Sequence, residues 1–230
     1  MEKIIKSGIK LVADQIQHRA RIREETKRTL GGLLDLHPVC LGVIREITLY
    51  RIEEPGNTNE SISLRLALGA SFIQGIEICE VAIVEGLYSQ AASILKQEME
   101  TIAAMKESSR DIRKNKVTPR ISHLTTPMGR IYGMLNGISH TSDKELFVPI
   151  YKLEVSEESE IQPVSITPKF NQDMGYIFYG VHLVLLMEFI DCLLDLESDL
   201  HGYLIPEELE KEISYVYKEL CSSKILEPEE

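Results

Sequence analysis

Three side chains that can each donate and accept a hydrogen bond recur at four-residue spacing in GRIYGMLNGISH (129–140): Tyr132, Asn136 and His140. On a helix this spacing stacks them one turn apart on a single face. Such a row can form a hydrogen-bonded network or line a polar pocket. His140 adds a group that can move a proton near neutral pH. A position at a helix C-terminus favours its charged form. Forty residues earlier, Lys96 and Glu100 stand at i, i+4 on another predicted helix. They read as a surface ion pair, or as a second polar row facing the first if the two helices pack together. Tyr132, Asn136, His140, Lys96 and Glu100 are therefore the candidate binding residues, with His140 and Asn136 the candidates for catalysis.

Other chemistry has less support. No Glu-x-x-His pair of a di-metal bundle occurs, and Glu77 and Glu80 read as a helix face. No phosphate loop, dinucleotide fingerprint, GxSxG elbow or HExxH is present. Cysteines 40, 79, 192 and 221 lie far apart with no CxxC spacing. Free thiols are expected, with no disulfide framework, no metal and no cofactor.

The elements that must position these residues read as helices. Projected at 100° per residue, Ile131, Met134, Leu135 and Ile138 share the core side of 129–140, opposite the polar row. Gly129, Gly133 and Gly137 form a third stripe. Each costs about 1 kcal/mol against alanine within a helix, so close approach of a neighbouring backbone is expected there. Further helices are predicted over 2–30, ended by Gly31-Gly32, then over 38–51, 61–85 and 88–114. The first carries an apolar stripe of Ile4, Ile5, Ile9, Val12 and Ile16. EEPGNTNE (53–60) and VTPRISHLTTP (117–127) read as connections. FVPIYKLEV and IQPVSITPKF suggest an extended arm or β-hairpin near 147–170. A long apolar helix over 171–200 and a last one opened by Pro206 follow, and EPEE reads as a frayed tail. The expected fold is all-α: one domain, 1–230, a bundle of six or seven helices with that inserted arm. The apolar run 176–190 is short for a bilayer and contains His182 and Glu188, so a buried central helix and no membrane association are expected.

The net charge of −11 is uneven. Residues 1–51 carry ten Lys/Arg against six Asp/Glu, 105–130 seven against two, and 142–230 six against twenty. An acidic chain is a poor default partner for nucleic acid. RARIREETKR (19–28) and RDIRKNK (110–116) would make a basic patch only if they met in space.

ASILKQEMET (92–101) followed by YGMLNGISH (132–140) resembles a group of bacterial helical proteins, often near defence or stress genes, with a Leu-Leu-Arg…Glu helix and a Tyr…Leu-Ser…His helix. Lys96 stands at the arginine position, and Glu100, Tyr132 and His140 match. More distantly, Asn136-Gly-Ile-Ser-His140 resembles the polar residue and histidine of the HEPN superfamily, which includes dimeric metal-independent ribonucleases. The arginine of that signature is replaced by Leu135. Free thiols lead to the expectation of a cytoplasmic location; the leading reading is a helical binding or interaction protein, for which the resemblance implies a stress or defence setting. The alternative it implies is a HEPN-like RNA-binding or RNA-processing enzyme using Asn136 and His140. A homodimer is expected, because the helices have mixed faces and the 147–170 arm offers edges in need of cover. A protein partner is compatible with this reading.

Overall fold

The computed structural model describes residues 1–49, 56, 58–153, 164–202 and 206–226. Among these it is all-α. Eight α-helices are present: α1 (Glu2–Leu34), α2 (Leu36–Leu49), α3 (Glu60–Val84), α4 (Tyr88–Ser109), α5 (Gly129–Ser139), α6 (Lys144–Tyr151), α7 (Gln172–His201) and α8 (Glu207–Ser222). A single 3-10 turn, Ile121–His123, interrupts the link between α4 and α5.

The eighth helix is α6, and it takes the first five residues, 147–151, of the arm expected at 147–170. Asp143 accepts from the backbone N–H groups of Glu145 and Leu146, and Leu146, Phe147 and Ile150 pack against the core. Capping and burial thus override the strand-like composition of FVPIY. Of the expected hairpin, one antiparallel bridge remains, Lys152 with Val164. Its tip, residues 154–163, lies outside the described residues, as do residues 53–55 and 57 of the 53–60 connection and the EPEE tail. Gly31-Gly32 does not end α1, which runs on to Leu34. Nor does α4 reach 114; it stops at Ser109.

The core forms around α4 and α7. Leu95, Met99, Ile102 and Ala103 of α4 and Phe178, Leu183, Leu185, Leu186 and Phe189 of α7 are fully buried. Phe72 of α3 stacks on Phe189 with ring centroids 4.1 Å apart. Side-chain caps fix two long helices: Asn59 accepts from Ile62 N–H at 2.8 Å, and Asn171 from Met174 N–H at 3.0 Å. Between α3 and α4, Gly86 turns the chain at φ +73°, where a Cβ would lie 2.7 Å from the Lys169 carbonyl oxygen. By length and apolarity alone, α3 and α7 could each cross a bilayer. Their surroundings differ: 72% of the most apolar stretch of α7 is buried inside the bundle, against 39% for α3.

Residues 1–13 of α1 are all exposed. At 1.5 Å per residue, the helix therefore projects about 20 Å beyond its packed part. Ile22 of α1 is buried, but the isoleucines of the projecting part and Ile16 just past it are in the open: Ile4 74%, Ile5 57%, Ile9 65% and Ile16 58% exposed.

Candidate functional site

Glu107, Met105 and their neighbours anchor the far end of α4 in the core, while α5 and α6 run back along its outer side. Three contacts mark that antiparallel path: Tyr132 to Glu100, His140 to Lys96, and Tyr151 to Ser89 at 2.6 Å. α5 lies flat because Leu135 and Ile138 are buried beneath it. With that face down, the row at 132, 136 and 140 turns toward α4.

Four of the five candidate residues meet. Tyr132 Oη donates to Glu100 Oε1 at 2.6 Å. Lys96 Nζ lies 3.5 Å from Glu100 Oε1 and 3.3 Å from His140 Nε2. It also sits 5.8 Å from the centre of the Tyr132 ring. An ammonium can only donate, so the contact suits an imidazole whose Nε2 carries the lone pair. Burial, then the hydrogen bond and charge of Glu100, push the Tyr132 phenol up to about 12. Asn136, half-buried between them on α5, contributes its backbone carbonyl to the His140 N–H at 3.0 Å.

Chemically the cluster is closed on itself. Lys96 and Glu100 neutralise each other, and the phenol is held protonated. What faces outward is the exposed His140 ring. The position where the HEPN signature carries arginine is Leu135, fully buried on the opposite side of α5. An arginine-type phosphate contact therefore has no counterpart at that position.

The glycine stripe behaves differently from expectation. A Cβ at Gly129 or Gly133 would meet nothing within 4 Å, so these two face open space, not a neighbouring backbone. Only Gly137 is closely approached, by Asp143 Cβ at 3.0 Å from where its own would stand. The approach comes from the tight turn into α6.

The two basic segments do not join. Arg19 and Arg23 of α1 both donate to Glu85, just before α4 begins. Arg113 donates to Glu107 at 3.2 Å, at the end of α4. The 22 residues of α4 hold these places about 30 Å apart.

Sequence reading assigned no role to a second polar cluster, deep in the core. His182 Nδ1 of α7 lies 3.2 Å from Glu98 Oε2 of α4, and its Nε2 lies 3.3 Å from Nε2 of His37. Cys79 of α3 adjoins Glu98 and His182. A signal was present: Glu98 sits between Leu95 and Met99 on an apolar stripe, and His182 interrupts an apolar run. Burial, reinforced by Glu98, holds the Cys79 thiol well above its usual range. Burial also pushes Cys40 and Cys192 up to about 12. None of these three thiols is placed as a nucleophile.

No family model matches this chain, and no curated protein or solved structure matches it either.

Proposed function

We propose that the chain is a cytoplasmic helical interaction protein that works as a homodimer, joined through the projecting half of α1. The α4–α5 cluster of Lys96, Glu100, Tyr132, Asn136 and His140 would be the face it offers to a further partner. The observation that carries this reading is the row Ile5, Ile9, Val12 and Ile16, exposed along residues that touch little else. The steps of 4, 3 and 4 residues are those of a heptad seam, which a second copy of the same helix complements. Large aliphatic side chains in such a row on a projecting helix call for a cover. Lys3, Lys6 and Lys10 flank the row and keep it soluble while unpaired.

A stress or defence setting rests on the resemblance alone. The RNA-processing alternative draws support from the nearness of Lys96 to His140, but less than the interaction reading does. Its basic segments stand at opposite ends of α4, and its arginine position is a core leucine.

Sedimentation equilibrium at micromolar protein tests the dimer. A mass of two chains is expected for wild type, and of one chain for Ile9→Glu combined with Val12→Glu. A wild type with the mass of one chain would sink the reading. If that monomer bound anionic vesicles, α1 would be a membrane-surface helix instead.

A further inference from the structure

We propose that Cys79, Glu98 and His182 form a binding site for a divalent transition metal ion of the zinc class, a structural staple joining α3, α4 and α7. One ligand atom from each residue lies within 4.8 Å of the others, and His182 Nδ1 and Glu98 Oε2 are 3.2 Å apart. A tetrahedral zinc ion with bonds of about 2.0–2.3 Å sets its ligands roughly 3.3–3.6 Å apart. The sulfur therefore needs to close by about an ångström at most.

Three further observations point to an ion. The first is an orphaned atom. Glu98 Oε1 is buried with no hydrogen-bond partner, although its residue is only 4% exposed. A buried carboxylate oxygen without a partner is costly. Bidentate binding through Oε1 and Oε2 would occupy it and bring the donor set to four atoms. The second is the position of His37. Its Nε2 faces the Nε2 of His182 at 3.3 Å. With Nδ1 on the metal, His182 keeps its proton on Nε2 and donates it to His37, the outer hydrogen bond that orients metal-bound histidines. The third is charge. One thiolate and one carboxylate neutralise a divalent cation, leaving no net charge in the core. The donor mixture of sulfur, nitrogen and oxygen suits zinc better than magnesium or calcium.

On binding, the Cys79 S–H bond is broken, the sulfur bonds to the metal, and the proton passes to solvent. Cys79 and His182 are fully buried, so the metal is taken up as the chain folds. The role is structural, because substrate has no access. The ligands are 19 and 84 residues apart (79 to 98, 98 to 182). Cysteine-spacing rules, which led to the expectation of no metal, do not detect such a set.

The test is refolding from denaturant with zinc or cobalt(II), then desalting. Elemental analysis should find one metal per chain, and the melting temperature should exceed that of chain refolded with chelator. The cobalt form should show a thiolate charge-transfer band. That band should be lost in Cys79→Ser and kept in Cys40→Ser, Cys192→Ser and Cys221→Ser. Wild type that retains no metal, or a band that survives Cys79→Ser, overturns the proposal. Should Cys79→Ser fail to refold, X-ray absorption on the wild-type zinc form decides. One sulfur with nitrogen and oxygen neighbours supports the site; no sulfur, or more than one, overturns it.

Discussion

Tyr132 donates its phenolic proton to Glu100 at 2.6 Å, across 32 residues of chain. Burial and the carboxylate together raise the phenol to about 12. Its neutral form is what the fold favours. The stability it contributes is whole below the usual phenol value of 10.0 and lost as pH rises through about 12. Subtracting the ultraviolet titration of Tyr132→Phe from that of wild type isolates this residue. Glu100→Gln should bring the difference titration down toward the ordinary tyrosine range. An unchanged midpoint in Glu100→Gln would refute the role given to the carboxylate.

A buried pair ties the end of α4 to the middle of α7. Lys106 donates to Glu188, which also accepts from the N–H groups of Thr125 at 3.1 Å and Thr126 at 2.6 Å. Burial pushes the Glu188 carboxyl up, but Lys106 and these N–H groups outweigh it and hold the group below 4.5. Its stabilisation is therefore present above that value and lost as pH falls through the lowered folded one. Lys106→Met strands the carboxylate and should cost about 3–5 kcal/mol at neutral pH. The deficit should shrink on acidification, as protonation relieves the stranded charge. Urea unfolding at neutral and mildly acidic pH measures both effects. A deficit that grows toward acid would contradict the assignment.

Two glycines should respond to alanine in opposite directions. At Gly133 the helix is exposed and a Cβ meets nothing, so Gly133→Ala should stabilise by up to about 1 kcal/mol through helix propensity. At Gly86, φ is +73° and a Cβ would press on the Lys169 carbonyl at 2.7 Å. Gly86→Ala should therefore destabilise by roughly 1–3 kcal/mol. Denaturation midpoints of the two variants give the signs directly. Gly133→Leu should also fold well, because the space outside it is open.

Purified chain should not cleave generic single-stranded RNA in a manner that depends on His140. Lys96 is already engaged by Glu100, and the arginine position holds buried Leu135. The assay compares wild type with His140→Ala on labelled RNA, without added metal, with folding checked by circular dichroism. Cleavage by wild type that vanishes in the folded variant would promote the nuclease reading over the interaction one.

The helices were legible in the sequence because their apolar periodicity is strong and their caps are local. The row at Tyr132, Asn136 and His140 was legible for the same reason: i, i+4 spacing on a helix is a geometric statement. So was the suggestion that Lys96 and Glu100 lie near it. α6 was misread because FVPIY has strand-like residues: the Asp143 cap is local and was passed over, while the partial burial of the helix's apolar side depends on tertiary packing. The glycine stripe was misread because a missing side chain does not say whether helix or solvent lies opposite. Cys79, Glu98 and His182 were missed because three helices must assemble before they meet.

The two buried polar links between α4 and α7 have a consequence for how the chain finds its fold. Glu98 meets His182, and eight residues on Lys106 meets Glu188, six residues on along α7. The helices thus run in the same direction with two fixed points of reference. Apolar surfaces alone would tolerate a slip of one turn, about 5.4 Å, with leucine replacing leucine. Such a slip would leave two carboxylates, an ammonium and an imidazole unpaired in the core at once. The polar rungs act as an index, rejecting misaligned packings that hydrophobicity by itself would accept.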